Sequence, residues 1–317
     1  MSVSITDVMA MYRAFLGREP ESLEAIAAHL DCRTFDELRR TFLFSAEFLN
    51  SNGWAQGLVG RHRASSPISV ESKASAEDLK TMLDRTAQGW MRLGQQDAHW
   101  SVLVDERFRR ENVENNMQLF YDSGRSDIDA CEAILRRNGF QLAPSHRALD
   151  FGCGVGRLSL ALAPRVRSVL GVDISENHLR YARQRAASHN IENVSFTCIR
   201  AVSDIFNLGQ FDVIITFIVL QHNPPPVMRH ILQSILEKLT PGGVAVFQLP
   251  TYRTEYAFST KDYLASDGHD MEMHILPQKE VFEVVEASKC RPIEVLEDHM
   301  VGESRYVSQT FLVQRQS

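Results

Sequence analysis

The sequence ALDFGCGVGR at residues 148–157 is the clearest indication of the fold. Its apolar beginning predicts a buried strand, and the residues after its last glycine predict a helix. Glycines at such a junction let the backbone turn sharply and approach a ligand closely, and the helix N-terminus offers free N–H groups to an anionic part of that ligand. The dinucleotide fingerprint GxGxxG would need a glycine at position 157, where this chain has Arg157. The spacing is instead GxGxG, with Asp150 two residues before the first glycine.

Predicted strands and helices alternate from residue 147 onward, which is typical of a parallel sheet with crossover helices. The predicted strands are 147–151, 169–173, 194–199, 211–217 and 243–249. The helices predicted between them are 156–164, 176–189 and 227–239. The elements predicted after them are a helix at 278–289 and strands at 292–298 and 305–314.

A second acid, Asp173, ends the strand that follows the glycine-rich stretch, where a carboxylate can accept both hydroxyls of a ribose. The two features together resemble the nucleoside-binding motif of class I S-adenosylmethionine-dependent methyltransferases. QFDVII at 210–215 is similar to the fourth strand of that family, and LTPGG at 239–243 to the turn before its fifth strand. The C-terminal helix and strand pair resemble the reversed hairpin that closes the family's sheet. The alternative is a doubly wound domain that binds another nucleotide.

The resemblance covers about residues 147–315 and implies a fold, a cofactor and a set of binding residues. The implied fold is α/β, a Rossmann-like, doubly wound sheet of seven strands with a reversed C-terminal β-hairpin, beside a small all-α N-terminal domain. The implied cofactor is S-adenosyl-L-methionine. Its predicted contacts are Asp150, Gly152, Cys153, Gly154, Asp173, Ile174, Ser203, Phe217 and Gln221. Upstream helical segments resemble a lead-in that covers the cofactor in a bacterial subgroup, which adds Tyr121 and Trp100 as lid contacts; as isolated aromatics they would belong to the core.

LQHNPPP at 220–226 resembles a stretch of many small-molecule and sugar methyltransferases in which the histidine lies beside the transferable methyl group. His222 is therefore the predicted catalytic base, since histidine has a suitable pKa for a hydroxyl acceptor. The alternative is that His222 caps the strand end or shapes the pocket. The NPPY motif of amino methyltransferases does not apply, because Asn223 lies 11 residues after Asp212 and Pro226 replaces the aromatic residue.

Tyr252, Tyr256 and His274 are the predicted acceptor contacts. Both tyrosines lie in the insertion after the fifth strand, from which this family often takes acceptor specificity, and aromatic faces suit a sugar ring or an aromatic acceptor. A small local core is the alternative. Residues 268–274 alternate as a strand would and place His274 on one face with two acids. One histidine among carboxylates is weak evidence for a metal site, so no metal is predicted, and a solvated edge strand is the alternative.

The first 50 residues predict short helices punctuated by Gly17 and Pro20. YRAFLGREP at 12–20 and FLFSAEF at 42–48 resemble a small helical module that is often attached to bacterial enzymes acting on cell-surface glycans. The predicted domains are a helical accessory domain at 1–60, a linker at 61–76, and a methyltransferase domain at 77–317 with a helical lead-in at 77–145.

Composition narrows the partners and the compartment. The chain has 317 residues, a net charge of -6 and 44% apolar residues, so nucleic acid is not expected as the main partner. Five scattered cysteines without a CxxC pair predict reduced thiols. The N-terminus lacks the pattern of a signal peptide, and no apolar stretch is long enough to span a bilayer. We therefore expect a cytoplasmic protein.

These patterns together predict an enzyme that transfers a methyl group from S-adenosylmethionine to a hydroxyl of a sugar or other small molecule. The resemblance of the N-terminal module favours an acceptor in cell-surface glycan biosynthesis: a polysaccharide, lipopolysaccharide or glycolipid. Two alternatives remain at this point. One is a methyltransferase that acts on protein or nucleic acid, and the other is a non-catalytic module that binds S-adenosylmethionine.

Overall fold

The computed structural model describes residues 3–43, 45–51, 67–268, 270–303 and 305–316. The chain separates into two units, Met1–Ser66 and Pro67–Ser317. The predicted domain boundaries at residues 60 and 76 remain predictions. Four predicted features lie wholly or partly outside the described residues, namely the end of the accessory domain, the first part of the linker, Phe44 and His269.

The first unit consists of short helices around a small apolar core. Its elements are α1 (Ile5–Met11) with a π-helical continuation at Tyr12–Leu16, α2 (Leu23–Leu30), α3 (Phe35–Leu43) and α4 (Ala46–Ser51). Val8, Leu38 and Phe42 are buried between them. Gly17 ends the first helical segment with φ of 66°, a left-handed conformation that glycine adopts without steric cost.

The charged residues of the module pattern bond to each other within this unit. Arg18 donates from Nε and Nη2 to the two carboxylate oxygens of Glu47, at 2.5 and 2.7 Å, and from Nη1 to Glu21 at 2.5 Å. Its guanidinium also lies 5.0 Å from the centre of the Tyr12 ring. A two-point arginine–carboxylate bond fixes orientation as well as distance. The pattern therefore has an internal structural role, which joins α4 to the loop after Gly17.

A sheet of seven strands, counted over the described residues, organises the second unit. The strands of this unit are β1 (Ser69–Val70), β2 (Arg147–Phe151), β3 (Ser168–Asp173), β4 (Val194–Cys198), β5 (Phe211–Thr216), β6 (Leu239–Arg253), β7 (Ala257–Phe258), β8 (Cys290–Asp298) and β9 (Tyr306–Arg315). The order in the large sheet is β4-β3-β2-β5-β6-β9-β8, parallel up to β6 and antiparallel from β9. The predicted fold class, with its reversed C-terminal hairpin, is confirmed. β1 and β7 form a separate parallel pair.

Helices cover the sheet and precede it. They are α5 (Ala76–Gln96), α6 (Ala98–Val102), α7 (Val113–Arg137), α8 (Arg157–Leu162), α9 (Glu176–Ser188), α10 (Pro225–Leu236), α11 (Thr260–Ala265) and α12 (Gln278–Ala287). The helix predicted at 227–239 begins two residues earlier, because Pro225 and Pro226 suit a first turn, whose N–H groups have no helical acceptor. Among the described residues, no helix is both long and apolar enough to cross a bilayer.

The edge strand predicted at 268–274 is wrong. The described residues of this stretch form a turn at Asp270 and Met271 and then an irregular segment. Met271 has φ of 59°, which breaks the extended backbone that alternation would need. His274 leaves the predicted polar face and turns inward, where its Nδ1 lies 2.8 Å from the hydroxyl of Tyr256.

The contact between α7 and α8 is close enough to require a glycine. A Cβ on Gly124 would lie 2.4 Å from the carbonyl oxygen of Arg157, at the start of α8. Arg157 is buried there and donates from Nη1 to Asp127 at 2.5 Å and to Ser123 at 3.1 Å, both on α7. Arg157, which stands where the dinucleotide fingerprint needs its last glycine, thus joins α7 to α8.

Gly124→Ala should lower the free energy of unfolding by about 2 kcal/mol, because overpacking against a backbone carbonyl forces α7 and α8 apart. Ser126→Ala, an exposed position on the same helix, is the matched control and should change stability by less than about 0.5 kcal/mol. Urea denaturation of both variants measures the difference. Equal midpoints would contradict this account of the contact.

Candidate active site

A cavity with an empty volume of about 1010 Å³, its opening to solvent included, lies at the carboxyl ends of β2, β3, β4 and β5. We call it the cofactor cavity. It lies where the strand order reverses between β2 and β5, the position at which open α/β sheets bind ligands. Residues of α5, α6, α8, α9 and α10 also contribute to its wall. The predicted cofactor residues on the wall are Asp150, Gly152, Cys153, Gly154, Asp173, Ile174 and Phe217.

Neighbouring side chains pack so closely against the glycine-rich loop that it has no room for side chains at two of its positions. Gly152 and Gly154 have φ of 75° and 53°, which L side chains rarely adopt. A Cβ on Gly152 would lie 2.3 Å from a methyl group of Val219, and one on Gly154 would lie 2.7 Å from a methyl group of Val102. The loop is attached to β3, since the amides of Gly152 and Cys153 donate to the Val172 carbonyl at 2.8 and 3.0 Å.

Asp173 connects the glycine-rich loop to α9. Its Oδ2 accepts the amide of Gly154 at 2.8 Å, and its Oδ1 accepts the amide of Ser175 at 2.8 Å. A carboxylate has about four acceptor positions, so two remain for a ligand in the cavity. The carboxylate can therefore hold the loop and still accept a pair of ribose hydroxyls.

Asp150 is a buried acid behind the loop. It is 1% exposed and accepts a hydrogen bond from the hydroxyl of Ser159 at 2.5 Å. Burial raises its pKa to about 6, although the hydrogen bond from Ser159 and the positive charge of Arg157 favour the ionised form. A cationic ligand group in the cavity would favour the ionised form further.

His178 and Ser101 are wall residues that sequence reasoning missed. The hydroxyl of Ser101 lies 3.1 Å from the Ala98 carbonyl, to which it donates, and 2.8 Å from Nε2 of His178. Nε2 therefore carries the proton, which leaves Nδ1 as an acceptor; Nδ1 is buried and has no partner. Burial also lowers the pKa of His178, which favours the neutral ring. The sequence offers one signal for His178, which is that a histidine lies on the apolar face of α9.

These features fit the cofactor that the sequence implies. The glycine-rich loop has no side chains at Gly152 and Gly154, Asp173 has open acceptor positions, and the carboxyl group of Asp150 lies in the wall. S-adenosylmethionine carries hydroxyl and ammonium donors that such acceptors can bind. The donor and acceptor set of the cavity is thus complementary to the ligand.

Four predicted cofactor contacts lie away from the cavity wall. Ser203 is exposed on the 3₁₀ turn at Val202–Asn207, and its neighbours Ala201 and Val202 line the cavity instead. Gln221 is buried below the wall, where its side-chain oxygen accepts from Gln248 at 3.0 Å. The prediction missed Ser203 by one residue and placed Gln221 on the wrong side of its turn.

The two predicted lid aromatics pack elsewhere in the lead-in. Tyr121 donates from its hydroxyl to the Val155 carbonyl at 3.2 Å and lies under the guanidinium of Arg185. Trp100 stacks against Arg109, whose guanidinium carbon lies 3.7 Å from the ring centre. The lead-in does cover the cavity, as expected, but through Trp90, Ser101 and Val102. That a residue is aromatic does not indicate whether it packs in the core or lines the cavity.

A second cavity, of about 440 Å³ with its opening included, lies next to the first and shares Thr86 and Trp90 with it. We call it the acceptor cavity. Most of its lining residues are polar or aromatic. They are Arg85, Thr86, Gly89, Trp90, Arg92, His222, Tyr263, Asp267, Gly268, Asp270, Met271 and Glu272.

His222 lies in the wall of the acceptor cavity. Its Nδ1 lies 3.0 Å from the backbone carbonyl of Glu272 and must donate to it, so the lone pair is on Nε2, which lies 3.4 Å from Nε2 of Gln221. Burial lowers the pKa of His222 to about 4, and the neighbouring His274 acts in the same direction. The ring packs edge-on against Trp90, with centroids 5.2 Å apart, and Trp90 also lies 6.1 Å from the ring of His178. Trp90 therefore lies between the two cavities.

The predicted acceptor contacts Tyr252, Tyr256 and His274 line neither described cavity. Tyr256 and His274 are buried and bond to each other, and Nε2 of His274 lies 3.2 Å from a carboxylate oxygen of Glu272. Tyr252 lies on β6 opposite Val307. The local core is thus the correct interpretation of Tyr256 and His274. No group of ligand-type side chains within the described residues is arranged to hold a metal ion.

Comparison with known proteins gives one family match. Residues 148–243 match the model of a family described as a methyltransferase domain. Ubiquinone biosynthesis O-methyltransferase of Neisseria meningitidis serogroup A is 34% identical over 104 residues, which are 32% of this chain and 42% of that protein. The protein of the same name from Idiomarina loihiensis is 35% identical over 103 residues, or 32% and 41%. The chain thus spans about two fifths of the length of the curated relatives it matches.

A solved structure has a similar fold. Magnesium protoporphyrin IX methyltransferase from Synechocystis PCC 6803, determined with bound SAH, superposes with a TM-score of 0.52 at 19% identity. The match covers 75% of this chain and 100% of that chain. Residues 148–243 thus match a methyltransferase domain, and S-adenosyl-L-methionine is the cofactor that the cavity fits.

Proposed function

We propose that this chain is an O-methyltransferase that acts on a hydroxyl group held in the acceptor cavity. The observation that carries the proposal is the adjacency of the two cavities, which share Thr86 and Trp90, with the His222 ring in the wall of the second. A methyl acceptor bound there would lie next to the cofactor and beside a base. Enzymes of this kind act mainly by aligning the two reactants.

The cofactor would be held by the glycine-rich loop and by Asp173, with Asp150 behind the loop. When bound, S-adenosylmethionine supplies a methyl group made electrophilic by its sulfonium. The chain contributes position and the exclusion of water: α5 and α6 cover the cavity, and Trp90 forms the wall that both ligands would contact.

His222 would take the proton of the acceptor hydroxyl at Nε2. The bond from Nδ1 to the Glu272 carbonyl fixes the tautomer and the ring orientation. A pKa of about 4 keeps the ring unprotonated at neutral pH. A base this weak assists once bond formation has begun to acidify the hydroxyl, which matches the concerted role expected of a general base.

The acceptor is best matched by a polyhydroxylated molecule such as a sugar. The lining includes Arg85, Arg92, Asp267 and Asp270, together with the rings of Trp90 and Tyr263, and this mixture suits a sugar's hydroxyls and ring faces. The curated relatives are named for ubiquinone biosynthesis, which supports a hydroxyl acceptor in general terms. The polar lining favours a sugar over a prenylated ring. The resemblance of residues 12–20 and 42–48 to the glycan-associated module supports a cell-surface glycan.

Asp173→Asn should raise the Kd for S-adenosylhomocysteine at least about tenfold. Hydrogen bonds to a carboxylate contribute about 1.5–3 kcal/mol, and the NH₂ group of asparagine would face one of the two backbone N–H donors. Asp212→Asn is the matched control, since Asp212 also accepts a backbone amide, that of Arg147, at the other end of the sheet. Titration calorimetry measures both. Unchanged affinity in Asp173→Asn would contradict the assignment.

His222→Asn should lower kcat by about 10²–10⁴-fold while leaving the Kd for S-adenosylhomocysteine within about twofold. His189→Asn, an exposed histidine on the same unit, is the control and should keep full activity. In the wild type the neutral ring is the active form. Activity should therefore be lost as pH falls through about 4, and not near the ordinary histidine value of 6.5. If the wild type lost activity near pH 6.5 and His222→Asn did not, the buried environment assigned to His222 would be wrong.

The acceptor class is tested by measuring S-adenosylhomocysteine release with a panel of glycosides and with a prenylated catechol. We expect turnover with glycosides, and a rise of at least about threefold in the glycoside KM for Asp270→Asn, which removes a charge-assisted bond to Arg92 in the lining. Asp262→Asn, outside the cavity on α11, should leave the KM unchanged. Turnover with the catechol and none with any glycoside would overturn the proposal of a sugar acceptor, but not the proposal that the chain is an O-methyltransferase.

A further inference from the structure

Ile218 has an unusual backbone in the wall of the cofactor cavity. Its φ is 60°, in the left-handed region, between Phe217 and Val219 in the turn that follows β5. A β-branched residue is a genuine outlier there because its side chain crowds its own backbone. Of the non-glycine residues with positive φ in the described chain, Ile218 is the one with a branched Cβ. Such a conformation persists only where the surroundings hold it.

Gln248 holds this backbone from below. It lies on β6, is 0% exposed, and its Oε1 accepts the amide of Ile218 at 2.9 Å. Its Nε2 donates to Oε1 of Gln221 at 3.0 Å and to the hydroxyl of Ser308 at 2.8 Å. The carbonyl and both N–H bonds of the side chain are thus used, and the amide of Ile218 must face the oxygen. The orientation of the carboxamide is fully determined.

The bond from Gln248 acts on residues that line both cavities. Val219, next to Ile218, lies against Gly152, where a Cβ would come within 2.3 Å of it. Gln221, the second partner of Gln248, precedes His222, and its Nε2 lies 3.4 Å from Nε2 of that ring. Gln248 itself touches neither cavity. Val246, two residues earlier on the same face of β6, is apolar and fully buried.

We propose that Gln248 is a positioning residue for the cofactor cavity: by bonding the Ile218 amide, it holds residues 217–219 against the glycine-rich loop in the shape that accepts the cofactor. A merely structural role predicts only a change in stability. The positioning role predicts a change in cofactor affinity that can be reversed at Ile218. The inference rests on the cofactor of the domain and is independent of the acceptor proposed above.

The test compares Gln248→Met in the wild-type chain with the same change in an Ile218→Gly background. Methionine keeps the length of the side chain and removes the acceptor, so the Kd for S-adenosylhomocysteine should rise about tenfold. Glycine adopts the left-handed conformation without support. The double variant should therefore bind within about threefold of Ile218→Gly alone. Gln314→Met on β9, which bonds to Arg291 outside both cavities, is the matched control.

Each outcome decides the proposal. Weak binding by Gln248→Met that Ile218→Gly restores supports it. Wild-type affinity in Gln248→Met overturns it, and so does weak binding that the glycine does not restore. If Gln248→Met fails to fold, Gln248→Glu at pH 5 replaces it, because a buried carboxyl is neutral at that pH and keeps an acceptor opposite Ile218. That variant should bind within about threefold of the wild type at the same pH, and a tenfold loss would overturn the proposal.

Discussion

Two backbone amides and one carboxylate hold the site together. Asp173 ends β3 and accepts the amide of Gly154 from the glycine-rich loop and the amide of Ser175 from the turn into α9. Ionised acceptors make the strongest hydrogen bonds to backbone N–H groups. The position of the loop, the start of α9 and the open side of the carboxylate are therefore set together. The remaining wall is built around this point, with the lead-in helices above it and the β5 turn opposite.

The two cavities lie side by side and share Thr86 and Trp90. Trp90 lies between them, with His178 on the cofactor side and His222 on the acceptor side. Burial lowers the pKa of both histidines, and each ring is oriented by a bond that it donates, to the Ser101 hydroxyl or to the Glu272 carbonyl. Neutral, oriented rings suit a site whose bound cofactor carries a positive charge, because a protonated ring would repel it.

The parts that could be predicted from sequence are those fixed by local geometry. The glycines and Asp173 occupy positions where backbone conformation and strand ends dictate the residue type, and alternating strands and helices dictate the sheet. Contacts set by tertiary packing could not be predicted. Tyr121 and Trp100 have the aromatic character expected of a lid, yet Tyr121 is buried in the core and Trp100 stacks against Arg109, and Trp90 on α5 takes that position.

Sequence patterns predict the contacts of residues 268–274 even less well. Alternation at 268–274 indicates a strand, but the left-handed Met271 turns the chain and sends His274 to Tyr256. Periodicity describes which side chains share a face only while the backbone stays regular. The Ile218 and Gln248 pair lies beyond sequence reasoning for a related reason. A strained backbone and the buried amide that supports it are 30 residues apart and meet only in the folded chain.

The most direct test of this account is the crystal structure of the chain with S-adenosylhomocysteine. We expect the ligand in the cofactor cavity, with its ribose hydroxyls bonded to Asp173 and its sulfur on the side of Trp90 and the acceptor cavity. Both backbone bonds of the Asp173 carboxylate should be intact. Ligand density in the acceptor cavity, or a carboxylate that has released Gly154 and Ser175 to bind the ribose, would contradict it.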